Sequence, residues 1–294
     1  MKKGYGEAHA SFGELIQGNR YVDSTSYLVT LPINLMSRVT FIPEETNGIR
    51  VVPEYKVKII AAIKHLEKEI GHSISGTFYV DSLIPEGKGL SSSSADLVAS
   101  IRAYCDSCNI NISAEMIGEI ISFIEPSDAV MYDNIVMYYN LNGVCVKQFD
   151  FIPRLSIIAI DQGGVVETSD CYKARAKQTK EIHYLQELLL KRLDYAMEKK
   201  DTEMICQIST QSAIINQNVL PKKYLNFALK LVDKFGISGI IVAHTGTYLG
   251  LLFNKEDINY IFKLEKVKSE LIKKILISKF LNQSGESELH ENRT

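Results

Sequence analysis

The segment Pro85–Ser100, "PEGKGLSSSSADLVAS", governs how the fold of this 294-residue chain is interpreted. Before it, "GTFYVDSLIP" alternates well enough to predict a strand that ends at Pro85. After the four serines, apolar residues including Leu97, Ile101 and Tyr104 fall on one face of a predicted helix. The pattern is therefore a strand, a glycine-containing turn and a helix whose first turn is made of serine.

This pattern predicts a phosphate-binding loop. The N-terminus of a helix leaves backbone N–H groups unpaired and carries a partial positive charge. Gly87 and Gly89 would let the backbone approach an anion, and the hydroxyls of Ser91–Ser94 would donate hydrogen bonds or coordinate Mg²⁺. Two familiar phosphate loops do not match, because they require glycine at position 82 or 92, where serine stands. A polar loop with a good helix cap is the alternative that spacing alone leaves open.

Composition bounds the class of protein. Hydrophobic residues make up 46% of the chain and charged residues 23%, which predicts a folded protein with a substantial core. A net charge of −2 gives no support for nucleic-acid or membrane-surface partners. Without a signal-like N-terminus or a long apolar run, the sequence predicts a soluble cytoplasmic protein.

Periodicity predicts several elements around the loop. Strands broken by Pro32 are expected within Tyr27–Thr40. Further predictions are a strand at Leu155–Ile160 and helices at about 171–200, 201–216 and 257–281. A helix is also predicted to end at Gly71 and to place these apolar residues on one face: Val57, Ile60, Ala61, Ile63 and Leu66.

Strands and helices alternate without a strict βαβ rhythm, which predicts an α+β fold. A third helix, with Ser113 as its N-cap, is predicted in "SAEMIGEIISFIE". A domain boundary is predicted near residue 150, dividing the chain into residues 1–150 and 151–294. Residues from about 282 to 294 are polar and predict a frayed tail.

At the glycine–serine segment the sequence resembles the GHMP kinase superfamily. Its second motif runs P-x-G-x-G-L-G-S-S-A, and Ser91 stands in place of the motif's last glycine and Ser94 in place of its alanine. The matching residues are Pro85, Gly87, Gly89, Leu90, Ser92 and Ser93. "HASFGELIQG" (His9–Gly18) and "AHTGTYLGLLF" (Ala243–Phe253) resemble the first and third motifs of the branch that contains L-threonine kinases. "EPSDAVMYD" and "IDQGGVVETSD" also resemble signatures of that branch.

The resemblance implies a two-domain α+β fold. Its N-terminal half would resemble the second domain of the fifth small-subunit ribosomal protein, and its C-terminal half would be ferredoxin-like. It also implies an ATP- and Mg²⁺-dependent kinase acting on a small-molecule hydroxyl, with L-threonine as first choice. The product would be O-phospho-L-threonine, a precursor in cobamide (cobalamin) biosynthesis. Homoserine, serine or another small hydroxyl compound remains an alternative acceptor, as does a catalytically silent ligand-binding protein of this fold. A monomer or homodimer is expected.

The resemblance assigns roles to the loop and to the residues after it. Asp128 is expected to be a catalytic base or to position the substrate, and its alternative role is to form a turn after Pro126. Ser93 is expected to be catalytic and to bind Mg²⁺, together with Glu119 or Glu125, although either glutamate suits a solvated helix surface equally. The expected ATP- or phosphate-binding residues are Pro85, Gly87, Lys88, Gly89, Leu90, Ser91, Ser92, Ser93 and Ser94.

The first and third motifs are expected to face the acceptor. Glu14 would pair with the ammonium group of an amino acid, or form a structural salt bridge instead. Gly246 is expected to allow close approach of the backbone to a ligand. The expected substrate-binding residues are Ser11, Gly13, Glu14, Gln17, His244, Thr245, Gly246 and Thr247.

Overall fold

The fold mixes helices and strands. A computed structural model describes residues 2–45, 48–164, 166, 168–273 and 278–282. The strands are β1 (Gly4–Asn19), β2 (Ser26–Pro43), β3 (Ile49–Val52), β4 (Gly76–Ser82), β5 (Ile135–Tyr139), β6 (Val144–Phe149), β7 (Leu155–Asp161), β8 (Gly239–Val242), β9 (Tyr248–Asn254) and β10 (Ser278–Asn282). The helices are α1 (Lys58–Ile70), α2 (Ser92–Cys108), α3 (Ala114–Ser122), α4 (Thr168–Arg175), α5 (Lys180–Glu198), α6 (Thr202–Ile215), α7 (Leu225–Phe235) and α8 (Tyr260–Lys273), with a 3₁₀ turn at Asn216–Asn218. The predicted α+β class is confirmed.

A sheet with β1 near its middle organises these elements. Its strands follow the order β10-β7-β9-β8-β1-β2-β4-β3, and β5 joins β2 and pairs with β6. All neighbours are antiparallel except β3 and β4. β1 pairs with β2 along most of its length, and with β8 at Glu14 and Val242. The first motif therefore lies where strands from the two ends of the chain meet.

Irregular pairing in β1 sets which side chains are buried. The register with β2 shifts between His9 and Ala10, between Ser11 and Glu14, and again before Ile16. Such bulges break the two-residue alternation of a strand and turn side chains in new directions. As a result the whole stretch from Ala10 to Asn19 is buried, including its polar residues.

Two apolar clusters hold the sheet in place. The larger one packs α1, α2 and α3 against the strands, and it also includes Leu193 and Ile208 from the C-terminal helices. The smaller cluster joins β7, β8 and β9 to α7 and α8, and it includes Leu231 and Val267. Burial of apolar area stabilises the fold by about 25 cal/mol per Å². Among the described residues, no helix is long and apolar enough to span a membrane.

Three sequence predictions about elements were wrong in detail. β2 continues through Pro32, whose partner in β1 is Ser11, so that proline does not end the strand. The region predicted as helix 171–200 contains α4 and α5 with a break between them. The C-terminal helix was predicted to reach residue 281, yet residues from Ser278 form β10, which pairs with β7. Most of the predicted tail lies outside the described residues.

The first predicted helix is present, but its buried face differs. α1 ends at Gly71, as predicted, and Gly71 is left-handed with φ 66°. Its buried residues are Ile59, Ala62, Ile63 and Leu66. These positions follow the spacing i, i+3, i+4, i+7 of a single helical stripe. The predicted set combined residues of that stripe with exposed neighbours such as Val57 and Ala61. The N-cap of α3 is Ser113, as predicted, and its side chain accepts a hydrogen bond from the Met116 N–H.

Candidate active site

The predicted phosphate loop forms one wall of a cleft of about 900 Å³. The loop follows β4 and leads directly into α2, so the cleft meets the unpaired N–H groups at the start of that helix. Gly87 and Gly89 are left-handed, with φ 70° and 82°, a conformation that glycine adopts without strain. The loop residues that line the cleft are Pro85, Gly87, Gly89, Leu90, Ser91, Ser92, Ser93 and Ser94.

Lys88 belongs to the predicted phosphate loop but does not line the cleft. Its Nζ lies 2.8 Å from Asp161 Oδ2, at the end of β7. The other oxygen, Asp161 Oδ1, accepts a hydrogen bond of 2.8 Å from the Thr247 hydroxyl. Although partial burial favours the neutral acid, the hydrogen bond from Lys88 holds the pKa of Asp161 below its ordinary value. Lys88 and Thr247 thus fasten the loop to the C-terminal strands, and neither is among the residues that line the cleft.

The phosphate loop and the third motif touch backbone to backbone. A Cβ on Gly89 would lie 2.0 Å from the carbonyl oxygen of Thr245, and a Cβ on Gly246 would lie 2.3 Å from the Gly89 nitrogen. Both distances are far inside van der Waals contact, so neither position accepts a side chain without movement. The Tyr248 N–H also donates to the Lys88 carbonyl, at 3.3 Å. The close approach that Gly246 allows is therefore to the phosphate loop itself.

Asp128 lines the cleft beside Ser91 of the phosphate loop and belongs to a cluster of buried ionisable groups. Its Oδ2 accepts a hydrogen bond from the Ser91 hydroxyl. Its Oδ1 lies 3.7 Å from His244 Nδ1, which is 2.7 Å from Glu14 Oε1. All three ionisable residues are less than 10% exposed. Residues from the first motif, the third motif and the "EPSD" segment thus meet at one point, although more than 100 positions separate them in the sequence.

The pKa values in this cluster follow from its burial. Burial raises the pKa of Asp128 and the charge of Glu14 adds to this, while His244 and the Ser91 hydroxyl act in the opposite direction. Burial alone would lower the pKa of His244, but the carboxylates of Glu14 and Asp128 outweigh burial and raise it. The arrangement is therefore an imidazolium between two carboxylates, one of which is a stronger base than an ordinary aspartate.

Two buried cations lie behind this cluster. Arg175, which is 3% exposed, donates a hydrogen bond of 2.6 Å to Gln17 Oε1, and a longer one of 3.5 Å to Asn216 Oδ1. Lys222, which is 4% exposed, donates to the Gly246 carbonyl at 2.7 Å, and burial lowers its pKa to about 8. No carboxylate lies within salt-bridge distance of either cation among the described residues. A buried charge without a direct counterion is costly.

Several buried polar atoms in the same region have no hydrogen-bond partner among the residues that the structure describes. Two are carboxylate oxygens, which can accept a proton or a hydrogen bond. Three belong to side-chain amides, of which two are donors. The atoms are Glu14 Oε2, Asp128 Oδ1, Gln17 Nε2, Asn216 Nδ2 and Asn140 Oδ1. Because buried polar groups are nearly always paired in native proteins, such a group of atoms indicates a binding site for a small polar molecule.

The predicted metal ligands occupy different places. Ser93 is exposed within the cleft, and Glu125 lines the cleft and pairs with Lys58. Glu119 is exposed on α3 and is not among the residues that line the cleft. A hydroxyl and a carboxylate are oxygen donors of the kind that Mg²⁺ prefers, so Ser93 and Glu125 fit the ion chemically.

A second group with metal-ligand chemistry is the buried cluster itself. Ligand atoms of Glu14, Asp128 and His244 all lie within 4.8 Å of one another. However, an ionised carboxylate can only accept a hydrogen bond, so His244 Nδ1 must carry a proton and donate it to Glu14 Oε1. A protonated nitrogen cannot bind a metal ion. The cluster is therefore better described as a hydrogen-bonded ionic trio.

The remaining predicted acceptor residues have mainly internal partners. Ser11 is hydrogen-bonded to the Ser91 hydroxyl, and Gln17 to Arg175. Gly13 is left-handed with φ 59°, and a Cβ there would lie 2.6 Å from the backbone of Val242. Thr245 lines the cleft directly. Of the two motifs, the third therefore reaches the cleft through His244 and Thr245. The first motif does not line the cleft and meets it indirectly, through the contacts of Ser11 with Ser91 and of Glu14 with His244.

Sequence reasoning missed several residues of the cleft. Lys56 is partly buried, and its Nζ lies 2.6 Å from Asp96 Oδ2 and 2.5 Å from Glu86 Oε1. These contacts tie the start of α1 to the phosphate loop and α2. Tyr172, on α4, lines the cleft beside His244. Arg175 is a further residue that the sequence does not single out, because one basic residue on a polar helix carries no signal of burial. Only its contacts with Gln17 and Asn216 in the folded protein reveal its position.

Comparison with known proteins agrees with this architecture. Residues 57–136 match the family described as GHMP kinases N terminal domain. An L-threonine kinase from Citrobacter freundii is 26% identical over 264 residues, which cover 86% of this chain and 88% of the relative. An L-threonine kinase from Salmonella typhimurium is 24% identical over 250 residues, covering 84% of this chain and 82% of the relative.

Solved structures show the same fold. Homoserine kinase from Cytophaga hutchinsonii aligns with a TM-score of 0.75 at 16% identity, covering 97% of each chain. Mevalonate kinase from Methanococcus jannaschii aligns with a TM-score of 0.70 at 16% identity, covering 96% of this chain and 98% of that one. Residues 57–136 are thus similar to the GHMP kinase N-terminal domain and the chain has the fold of these kinases, which confirms the resemblance predicted from its sequence. The relatives support a phosphotransferase of the GHMP type.

Proposed function

We propose that this protein is an ATP-dependent kinase that phosphorylates the side-chain hydroxyl of L-threonine. The observation that carries the proposal is the position of Asp128, which lines the same cleft as the phosphate loop. It is a buried carboxylate, and its Oδ1 accepts no hydrogen bond from the described residues. In phosphoryl transfer the protein mainly positions the reactants and stabilises charge. A cleft with a phosphate loop along one wall and a base at its end supplies both functions.

The reaction follows from this geometry. Asp128 Oδ1 accepts the proton of the acceptor hydroxyl while the hydroxyl oxygen forms a bond to the γ-phosphorus of ATP. The bond between that phosphorus and the bridging oxygen breaks, and ADP leaves with the electron pair. Burial raises the pKa of Asp128, which makes it a better base than an exposed aspartate. His244 limits this effect by supplying a nearby positive charge.

Ser93 and Glu125 would hold Mg²⁺ in the cleft. When bound, the ion neutralises charge on the phosphates of ATP. The serines at the start of α2 and the N–H groups of that turn bind the same phosphates. Lys88 acts indirectly, since its contact with Asp161 fixes the loop against β7.

The buried charges favour an α-amino acid as acceptor. A zwitterion carries both signs of charge, and the site offers both next to the cleft. Glu14 Oε2 is an unpaired acceptor for an ammonium group, and Arg175 is a buried cation without a carboxylate partner among the described residues. A substrate carboxylate would give Arg175 a counterion, together with the unpaired amide donors of Gln17 and Asn216. The L-threonine kinases among the relatives add support for threonine as the particular acceptor.

The first test is ADP release with Mg-ATP and a panel of hydroxyl compounds, with mass spectrometry of the products. The panel contains L-threonine, L-serine, L-homoserine, ethanolamine, aminopropanol and mevalonate. We expect turnover with L-threonine, lowered about 100-fold or more in Asp128→Asn because the general base is lost. Turnover with another compound of the panel would support the kinase assignment but contradict L-threonine as the acceptor. Binding of ATP without any transfer would favour a catalytically silent protein, and absence of ATP binding would contradict the kinase assignment.

Arg175 tests the preference for an amino acid separately. Arg175→Met should raise the KM for L-threonine about 10- to 100-fold, because the substrate carboxylate would lose its charged partner. Aminopropanol lacks that carboxylate, so its kcat/KM should change little in the same variant. An equal loss for both acceptors would show that Arg175 only supports the fold.

A further inference from the structure

Ser91 has an unusual conformation for the residue that begins a helix. It is the N-cap of α2, and its φ of 61° and ψ of 27° are left-handed. A serine N-cap normally has an extended backbone, and its side chain accepts a hydrogen bond from an N–H of the first turn. The side chain of Ser91 makes no such capping bond. Helix capping therefore does not account for a serine at this position.

The hydroxyl of Ser91 is used elsewhere. It is hydrogen-bonded to Asp128 Oδ2 and to the hydroxyl of Ser11, which lies on β1. An ionised carboxylate can only accept, so Ser91 donates to Asp128 and Ser11 donates to Ser91. Ser91 is 9% exposed, and Asp128 is 8% exposed, so water competes little for this contact.

The left-handed backbone is suited to glycine, the residue found at this position of the GHMP motif. Compared with glycine, a serine adds only its CH₂OH group. In this chain that group reaches Asp128, on a segment 37 positions further along the sequence. Among the described residues, the hydrogen bonds of this hydroxyl to Asp128 and Ser11 are therefore what distinguishes serine from glycine in favour of serine.

We infer that Ser91 is a positioning residue that holds Asp128 Oδ2 and leaves Oδ1 available for the acceptor hydroxyl. This inference rests on the proposed function, since it assigns Asp128 as the base. Ser91 itself exchanges no atoms in the reaction. Its donated hydrogen bond fixes the rotation of the carboxylate, and the bond from Ser11 orients the Ser91 hydroxyl.

Ser91→Gly is the decisive variant, because glycine accepts the left-handed backbone and the substitution removes only the CH₂OH group. We expect kcat to fall about tenfold with the KM for ATP nearly unchanged, since a charge-assisted hydrogen bond is lost from the base. The acid limb of the pH profile of kcat/KM should move to higher pH, because the Ser91 hydrogen bond lowers the pKa of Asp128. Ser91→Thr, which retains a hydroxyl, should keep more activity than Ser91→Gly if it folds.

The matched control is Asn109→Gly, at the other end of α2. Asn109 is also left-handed, with φ 56°, but it is exposed and outside the cleft. The Asn109→Gly variant should therefore have the kcat and the pH profile of the wild type. A wild-type kcat and an unshifted acid limb in Ser91→Gly would overturn the inference.

A second measurement does not depend on turnover. Urea unfolding of the wild type, Ser91→Gly, Asp128→Ala and the double variant forms a double-mutant cycle. Ser91→Gly should lower the urea midpoint more in the wild type than in the Asp128→Ala background, where the hydroxyl has lost its partner. Equal shifts in the two backgrounds would contradict the contact. If the two substitutions are coupled but the wild type has no kinase activity, the contact between Ser91 and Asp128 is supported and the proposed function is contradicted.

Discussion

At the residue scale, the chemistry of the site is concentrated in three side chains that are separated in the sequence and adjacent in space. Glu14, Asp128 and His244 are each less than 10% exposed. An isolated buried carboxylate would be neutralised by a raised pKa, whereas a pair of carboxylates around an imidazolium can remain charged. The histidine therefore favours the charged form of Asp128, which the proposed role as a base requires.

The raised pKa of His244 leads to a prediction about how the stability of the protein depends on pH. A histidine whose pKa is raised by folding stabilises the protein fully below its unfolded value of 6.5, and loses this effect as pH rises through the folded pKa. The wild type should therefore exceed His244→Gln in free energy of unfolding most strongly at about pH 6, and the difference should shrink toward alkaline pH. Urea unfolding of both proteins at several pH values measures this.

The control for this prediction is His65→Gln. His65 lies on α1, 3.9 Å from Glu69 in a pair whose carboxylate is largely exposed, so its contribution is expected to be small at every pH. A difference between the wild type and His244→Gln that stays constant with pH would contradict the charged trio.

At the scale of elements, the phosphate loop depends on the loop between β8 and β9. Gly89→Ala should lower the free energy of unfolding by several kcal/mol, because its Cβ would overlap the Thr245 carbonyl at 2.0 Å in addition to the strain of a left-handed alanine, about 1–2 kcal/mol. Gly71→Ala is the matched control, since Gly71 has φ 66° and no atom within 4 Å of an added Cβ. Urea denaturation should show only the strain in Gly71→Ala. Equal losses in the two variants would refute the backbone contact.

A second prediction at this scale separates the two glutamates near α3. Glu125→Gln should raise the Mg²⁺ concentration needed for half-maximal kinase activity, because Glu125 lines the cleft and would lose a charged oxygen ligand. Glu119→Gln removes the same charge from the exposed surface of α3 and should leave this concentration unchanged. Titration of activity with Mg²⁺ distinguishes the two. If Glu119→Gln had the larger effect, the role proposed for Glu125 would be wrong.

At the scale of the whole molecule, β1 connects the parts of the chain. It pairs with β2 on one side and β8 on the other, and Phe12 on β1 lies against Tyr248, with ring centroids 6.0 Å apart. The larger apolar cluster contains residues from both sides of the predicted boundary near residue 150. That boundary remains a prediction, and this shared core indicates strong coupling across it.

Coupled packing predicts a single unfolding transition. The chain has 15 tyrosines and no tryptophan, so tyrosine fluorescence and far-UV circular dichroism can be followed in the same urea titration. The two transitions should coincide, as expected for cooperative unfolding. Separate midpoints would show that the parts on either side of residue 150 unfold independently, despite their shared core.

The sequence by itself determined the features that depend on neighbouring residues. The helix stop at Gly71, the cap at Ser113 and the phosphate loop before α2 follow from local backbone chemistry, which the order of residues encodes directly. The resemblance of three short motifs also indicated the GHMP kinase fold. The prediction of the buried face of α1 was wrong because a short apolar pattern fits more than one helix face. The prediction that Pro32 breaks the strand was wrong because a proline is tolerated next to the bulge where β2 pairs with β1.

Only the tertiary structure decided which polar residues face the cleft and which support it. Lys88 was expected to bind phosphate and instead pairs with Asp161. Arg175 has no sequence signal of burial and is buried. Ser91 was expected to bind phosphate, and its hydroxyl contacts Asp128. The physical reason is that burial and pairing are properties of distances between segments far apart in the chain, and a linear pattern contains no such distances.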